Sequence, residues 1–244
     1  MLPRARVAKA RLDVAIALIC RVWKVFDPFR ETYTTTVADV RTSTTVLCIR
    51  HALTDAVGVR LTSRAPGVPL SDVGQRQAQQ LRERLRGVPL AAVYSSPLER
   101  AVATAEPLAR DRMQPVHIVE GLTEVDFGEW TGLTFAELEP KPEWQHFNRD
   151  RSTAVVPGGE TPAGVQRRII ATLSTLSSAH PGETIAAVSH GDVIRNAVLY
   201  AAATPLSLWH RFDISPASIT ALVFTDGEPR LLTVNERPYS APGQ

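Results

Sequence analysis

From residue 45 onward, short apolar runs rich in β-branched residues alternate with longer segments that have helical periodicity. Alternation of this kind predicts a mainly parallel sheet covered by helices on both faces. The predicted fold class is therefore α/β, a three-layer α/β/α sandwich whose last two strands form a hairpin across Asp226-Gly227. We predict strands at 45–50, 91–96, 117–120, 184–190, 218–224 and 230–236. We predict helices between Ser71 and Gly87 and at 98–110, 160–178 and 192–203, the first with Val73, Ala78, Leu81 and Leu85 on its buried face.

The composition excludes several classes of protein and of binding partner. Charged residues make up 21% of the 244 residues and hydrophobic residues 44%, which excludes a disordered chain or a coiled coil for the bulk of the protein. Beyond residue 45 there are 19 basic and 21 acidic side chains, so we expect no nucleic-acid partner. Two cysteines, Cys20 and Cys48, provide neither a disulfide framework nor a structural zinc site, which favours a reducing, cytoplasmic location.

The first 44 residues are interpreted as an N-terminal extension that ends in a Thr-rich linker, and residues 45–244 as the catalytic domain. The apolar segment 12–26 is interrupted by Asp13, Arg21 and Lys24, so it contains no uncharged run long enough to span a bilayer. An amphipathic helix on the body or on a membrane surface and a flexible tail both fit this segment. A start codon assigned too far upstream is a third possibility, whereas membrane association and a secretory signal are less favoured.

Reactive side chains follow three of the predicted strands, at the point where each strand ends. Arg50 and His51 end the first strand, and Arg100 follows the second. His190 follows the fourth, and Glu124 lies in the segment between them. Because ligands bind in the crevice beyond the carboxyl ends of parallel strands, we expect these side chains to converge. Two histidines, two arginines and one carboxylate suit phosphoryl transfer, since guanidinium groups bind phosphate oxygens through paired, charge-assisted hydrogen bonds.

These stretches resemble the histidine phosphatase superfamily, the phosphoglycerate-mutase-like group. The matching features, in chain order, are R-H-x-x-T (50–54), P-L-S-x-x-G-x-x-Q-A (69–78), S-S-P-L-x-R-A-x-x-T-A (95–105), L-x-E-x-x-F-G-x-W-x-G (122–132), G-G-E (158–160) and V-S-H-G-x-x-I-R (188–195). Each motif alone is weak, but their shared order over about residues 45–236 is specific. The resemblance implies a phosphoglycerate-mutase-like sandwich fold.

The resemblance also implies roles for individual residues. The implied catalytic residues are Arg50, His51, Arg100, Glu124 and His190. The implied phosphate-binding residues are Arg50, Thr54, Arg100, His190 and the backbone of Gly191. His51 is expected to be the nucleophile, with its other ring nitrogen donating to a nearby carbonyl. Glu124 is expected to protonate the leaving group and then to activate water. No metal or other cofactor is expected.

Two departures from the family pattern bear on function. Ala52 replaces the usual glycine after the nucleophile, so we expect a negative φ there. Val57 stands where mutases of this family usually have an asparagine that touches the phosphoryl group. The segments 55–68 and 139–157 are short and offer few parts for a water-excluding lid, which favours hydrolysis over mutase chemistry.

The predicted function is that of a metal-independent phosphomonoester hydrolase that acts on a small phosphorylated metabolite through a phosphohistidine. A cofactor-dependent phosphoglycerate mutase and a non-catalytic phospholigand-binding protein are the alternatives. Four loop arginines are candidates for binding a second acidic group of the substrate, with solvated surface charges as the alternative: Arg60, Arg64, Arg149 and Arg151.

Overall fold

The computed structural model describes residues 42–238. Its elements are β1 (Thr44–Arg50), α1 (Asp72–Leu85), β2 (Leu90–Ser95), α2 (Glu99–Arg110), β3 (Val116–Ile118), α3 (Phe135–Leu138), α4 (Pro142–Arg149), α5 (Pro162–Ser178), β4 (Thr184–Ser189), α6 (Gly191–Ala201), β5 (Ile219–Thr225) and β6 (Glu228–Glu236). Within this range no helix has both the length and the apolarity to cross a bilayer. The interpretation of residues 1–41 lies outside the described range, so the domain division at residue 44 stays a prediction.

The six strands form one sheet in the order β3-β2-β4-β1-β5-β6. The first four are mutually parallel, whereas β5 runs antiparallel to β1 and pairs with β6 as a hairpin. Asp226 and Gly227 both have positive φ, as a two-residue hairpin turn with the twist of the strands requires. The predicted α/β class with a mainly parallel sheet is confirmed.

Alternate side chains of β1 enter two separate hydrophobic clusters. Val46 and Cys48 belong to the cluster that includes residues of α5 and α6. Leu47 and Ile49 belong to the cluster that includes residues of α1 and α2. Because successive side chains of a strand point to opposite faces, the sheet is buried on both sides and the three-layer arrangement follows.

The segment 133–157 contains more regular structure than the sequence analysis expects. Helix α3 begins with a capping box between Thr134 and Glu137, and α4 begins at Pro142. Trp144 and Phe147 of α4 pack edge-on against the buried Trp130. The aromatic contacts with Trp130 therefore stabilise this short segment.

Val73 is a correction to the predicted buried face of α1, since this side chain is 43% exposed. The buried residues of the helix are Gly74, Gln77, Ala78, Leu81 and Leu85. At 100° per residue these five positions centre about 100° away from Val73, which therefore lies at the flank of the face.

The start of α1 holds the segment that follows β1. The carbonyl oxygen of Leu53 accepts hydrogen bonds from the backbone N–H of Ser71 at 3.0 Å and from its hydroxyl at 3.2 Å. The Leu53 N–H donates to Oε1 of Gln77 at 2.9 Å. A Cβ atom at Gly74 would lie 1.9 Å from the Leu53 carbonyl oxygen, so only glycine permits this approach.

We expect Gly74→Ala to lower the free energy of unfolding by about 1–3 kcal/mol, because the added methyl group must displace the Leu53 backbone. This loss should appear although alanine favours helices over glycine by about 1 kcal/mol. Urea denaturation measures the change. Gly87→Ala is the matched control, since no atom lies within 4 Å of its Cβ position. Equal stability of the two variants would contradict the expected clash.

Candidate active site

His51 directly follows β1, and its side chain is buried. Its Nδ1 lies 2.8 Å from the carbonyl oxygen of Ala52, which can only accept, so Nδ1 carries the hydrogen and Nε2 keeps its lone pair. Burial, followed by the charges of Arg50 and Arg100, lowers the pKa of His51 to about 3. The ring is therefore neutral near pH 7. Ala52 has a negative φ, as predicted.

His190 lies beside His51 because β1 and β4 are neighbours in the sheet. Arg50 is paired with Ser189, and the His51 N–H donates to the Ser189 carbonyl oxygen at 2.9 Å. Strands β1 and β4 therefore end at the same edge of the sheet. The ring centroids of His51 and His190 are 5.1 Å apart, and the ring planes are inclined at 59°. The parallel register thus brings the two predicted histidines together.

Ser96, which directly follows β2, contacts the ring of His190. Ser96 Oγ lies 2.8 Å from His190 Nε2 and also accepts the N–H of Leu98 at 3.3 Å. A Ser96 hydroxyl that donates to Nε2 leaves the hydrogen of the neutral ring on Nδ1. That Nδ1 has no hydrogen-bond partner within residues 42–238 and is 3.8 Å from Glu124 Oε2. In that tautomer Nδ1 is a donor available to an added acceptor.

Arg50 lies against the amino end of α6. Its Nη1 donates to the Ile214 carbonyl oxygen at 2.6 Å. A Cβ atom at Gly191 would lie 3.2 Å from Arg50 Cζ, so a residue without a side chain lets the guanidinium approach closely. The Ile194 N–H donates the first hydrogen bond within the helix, to the His190 carbonyl oxygen. The backbone N–H groups before Ile194 in α6 can therefore donate to an anion.

Arg100 projects from α2 and is 2% exposed. Its Nη2 donates to the Ser63 carbonyl oxygen at 2.7 Å. The Ser63 hydroxyl in turn donates to the Val125 carbonyl oxygen and accepts from the Phe127 N–H, each at 3.0 Å. Ser63 has a positive φ of 49°, an uncommon conformation that these three buried contacts maintain.

Glu124 lies on the segment between the two 3-10 helices Glu120–Leu122 and Gly128–Trp130. Its Oε1 accepts the N–H of Val125 at 2.9 Å. Burial, followed by the negative charge of Asp192, raises the pKa of Glu124 to about 7. The carboxyl group can therefore hold or release a proton near neutral pH.

Asp192 is a charged residue of the site that the sequence analysis missed. It accepts hydrogen bonds from Arg195 Nη1 at 2.5 Å and pairs with Arg151 Nη1 at 3.0 Å. Burial opposes ionisation of Asp192, but the two guanidinium groups outweigh it and lower the pKa of this carboxylate. The Arg151 guanidinium also lies 3.7 Å from the ring centroid of Trp209. The position of Asp192 in the S-H-G-D sequence was the available signal.

The site opens into a cavity of about 190 Å³. Five of the seven predicted site residues line it: Arg50, His51, Thr54, Glu124 and Gly191. Arg100 and His190 are buried and are not among the lining residues; Arg100 bonds to Ser63, and His190 Nδ1 lies 3.8 Å from Glu124. Ser63 also lines the cavity.

The four loop arginines have different surroundings. Arg60 lines the cavity. Arg64 bonds to the Glu124 carbonyl and to Glu160, and Arg151 is buried against Asp192. Arg149 lies in the last turn of α4. The prediction that a loop arginine binds an acidic group at the mouth of the site therefore remains for Arg60.

Within the described part of the chain, no group of three or more His, Cys, Asp or Glu residues is arranged to hold a metal ion.

Comparison with known proteins identifies relatives of this chain. The family model of the histidine phosphatase superfamily (branch 1) matches residues 46–237. The chain is 33% identical over 201 residues to a bifunctional protein of Mycobacterium tuberculosis, which covers 81% of this chain and 55% of that protein. The chain thus spans about half the length of this mycobacterial relative.

Two further relatives are covered almost entirely. The adenosylcobalamin/alpha-ribazole phosphatase of Salmonella typhimurium is 30% identical over 200 residues, covering 80% of this chain and 97% of that protein. A crystal structure of a mutant phosphoserine phosphatase from Entamoeba histolytica, in complex with phosphoserine, is similar with a TM-score of 0.71 and 29% identity. That similarity covers 79% of this chain and 96% of the other. The family resemblance inferred from the motifs is confirmed.

Glu124→Gln should become progressively more stable than the wild type as the pH rises from 5 to 8. The folded-state pKa of Glu124 is about 7 against an ordinary value of 4.5, so the wild-type protein loses stability as the pH rises through this window. We expect a gain on the order of 2–3 kcal/mol in the free energy of unfolding at pH 8 and little gain at pH 4.5. Denaturant titrations at both pH values, with the exposed Glu129→Gln as control, measure it. A pH-independent difference would contradict the account of Glu124 burial.

Proposed function

Because the chain belongs to the histidine phosphatase superfamily, we propose that it is a phosphoric monoester hydrolase that works through a phosphohistidine on His51. The observation that carries the proposal is the 2.8 Å contact between His51 Nδ1 and the Ala52 carbonyl oxygen. This contact leaves an unprotonated Nε2 on a ring that lines the cavity. A lone pair on a neutral imidazole is what attack on phosphorus requires.

In the first step, His51 Nε2 forms a bond to phosphorus while the bond from phosphorus to the leaving oxygen breaks. Glu124 gives its proton to that oxygen, so an alcohol leaves and Glu124 becomes a carboxylate. A carboxyl pKa of about 7 supports this role, because a substantial fraction of Glu124 is protonated at neutral pH. The products of this step are phosphohistidine and the free alcohol.

In the second step, the Glu124 carboxylate takes a proton from a water molecule whose oxygen attacks phosphorus. The bond from phosphorus to Nε2 breaks, inorganic phosphate forms, and His51 regains its lone pair. Glu124 ends the cycle protonated, as it began, so one group serves as acid and then as base.

The surrounding donors stabilise the phosphoryl group during both steps. Arg50 and Arg100 supply positive charge, and the neutral His190 ring supplies a donor at Nδ1. Thr54 and the Gly191 amide add further donors at the cavity wall. Each charge-assisted hydrogen bond contributes about 1.5–3 kcal/mol, and we assign to these fixed cations the electrostatic role that a metal has in other phosphatases.

A cavity of about 190 Å³ favours a small phosphorylated metabolite as substrate. The cavity combines the apolar side chains of Leu61, Phe127 and Phe135 with the guanidinium of Arg60. We infer that the leaving group is compact and that an acidic substituent on it contacts Arg60. The relative solved with phosphoserine supports a ligand of this size.

Hydrolysis is favoured over mutase chemistry. Val57 and its neighbours Ala56 and Gly58 line the cavity with aliphatic or absent side chains. A mutase must retain its phosphorylated intermediate and exclude water while the substrate reorients, which requires additional polar contacts. These three residues offer no side-chain polar group for that purpose.

His51→Ala should lower the release of phosphate from p-nitrophenyl phosphate by at least about 1,000-fold, because no other side chain in the proposed mechanism attacks phosphorus. The wild-type protein should keep its rate in excess chelator. Steady-state phosphate release measures both effects. His117→Ala serves as the control, since His117 is exposed on β3. A chelator-sensitive wild type, or an active His51 variant, would remove this mechanism.

The kcat/KM for an alkyl phosphate should fall about tenfold per pH unit above about pH 7, since the acid form of Glu124 is required and is lost as the pH passes its pKa. Glu124→Gln should be slower at every pH and should lack this fall. Ionisation of the substrate affects both proteins equally, so their ratio isolates Glu124. A ratio that does not vary with pH would exclude Glu124 as the proton donor.

A further inference from the structure

We propose that Glu160, together with Arg64 and Arg168, is a positioning residue that fixes the segment carrying Glu124. We call these three residues the acid clamp. The inference rests on the proposed function, because it gives Glu124 the role of proton donor. Glu160 and Arg168 are not among the site residues predicted from the sequence, although Glu160 belongs to the G-G-E motif, and Arg64 is predicted there only as a candidate for binding a second acidic group of the substrate.

The Glu160 carboxylate accepts four hydrogen bonds. Oε1 accepts from Arg168 Nε at 2.9 Å, and Oε2 accepts from Arg168 Nη2 at 2.8 Å. Oε2 also accepts from Arg64 Nη2 at 2.8 Å and from the Asp126 N–H at 3.0 Å. The Glu160 N–H donates to the Asp126 carbonyl oxygen at 2.8 Å, so the two backbones are joined as well.

Both arginines of the acid clamp reach the backbone around Glu124. Arg168 Nη1 donates to the carbonyl oxygens of Gly121 and Thr123, each at 2.8 Å. Arg64 Nε donates to the carbonyl oxygen of Glu124 itself at 2.9 Å. The clamp therefore holds the chain before, at and after Glu124.

The side chain of Glu124 depends on this backbone for its position. The hydrogen bond found at its carboxylate among residues 42–238 comes from its own neighbour, Val125. Such a contact moves with the segment and does not tie the carboxyl group to the rest of the site. A displacement of about 1 Å at a reacting group can reduce a rate about 100-fold.

Glu160 stays ionised while Glu124 titrates. Burial opposes ionisation of Glu160, but its hydrogen bonds to Arg168 and to the Asp126 amide outweigh burial and lower its pKa. The other groups that face Glu124 are Asp192, Arg50, Arg100 and His190, none of which belongs to the clamp. Glu160 and Glu124 thus have separate tasks: Glu160 fixes the backbone and Glu124 exchanges the proton.

A positioning role can be separated from a general structural role by changing the leaving group. A nitrophenolate leaves without protonation, whereas an alkoxide needs the proton of Glu124. A misplaced Glu124 therefore slows the alkyl substrate selectively. A damaged fold or a damaged phosphate site slows both substrates alike. The kcat/KM reports the step in which the leaving group departs.

The test is Glu160→Gln, in which an amide NH₂ replaces one acceptor oxygen and faces the arginine donors. We expect kcat/KM for an alkyl phosphate to fall about 10- to 100-fold while that for p-nitrophenyl phosphate falls less than about threefold. Asp111→Asn, which removes the charge from the surface pair with Arg82, is the matched control and should change neither value. Equal losses on the two substrates would overturn the positioning role.

Two additional variants keep the test decisive. Arg168→Lys retains the charge but loses the planar fork, and it should show the same selective loss if Glu160→Gln does not fold. In a Glu124→Gln background, Glu160→Gln should cause no further loss on the alkyl substrate. An additive loss would refute the coupling. If Glu124→Gln itself slows both substrates equally, the proton-donor assignment fails; if only the clamp variants do so, the inference alone fails.

Discussion

The parallel pairing of β1 with β4 is the contact on which the site depends. Its register aligns Arg50 with Ser189, so the next residue of each strand is a histidine at the same edge of the sheet. The His51 N–H bonds to the Ser189 carbonyl oxygen and holds the chain in place beyond the strand. A shift of one residue would send these side chains to opposite faces. Because both strands lie in the centre of a sheet that is buried on each side, the alignment is rigid.

Burial gives the charged groups of the site their chemical properties. Removal from water disfavours the ionised form of every group, so it lowers the pKa of His51 and raises that of Glu124. Nearby arginines reinforce the effect on the histidine, and Asp192 reinforces the effect on the glutamate. The same low-dielectric surroundings therefore provide a neutral nucleophile beside a carboxylic acid. Asp192 remains ionised only because Arg151 and Arg195 face it.

The strand pattern and the strand-end residues could be predicted from the sequence, because burial on both faces and parallel topology leave a strong local signal. Helices α3 and α4 could not, since they have only four and eight residues and depend on contacts of Trp144 and Phe147 with Trp130. The contact between Arg64 and Glu160 could not be predicted from the sequence either. They are separated by 96 residues, and their contact exists only after the loops have folded against each other.

The central claim is that Nε2 of His51 becomes bonded to phosphorus. Its most direct test is rapid mixing with a ³²P-labelled monoester, quenching in alkali, and identification of the labelled residue and ring nitrogen by peptide mapping and phosphohistidine isomer analysis. The account predicts label on residue 51 at Nε2, appearing faster than steady-state turnover. Label on Nδ1, label on His190, or turnover without any labelled histidine would contradict it.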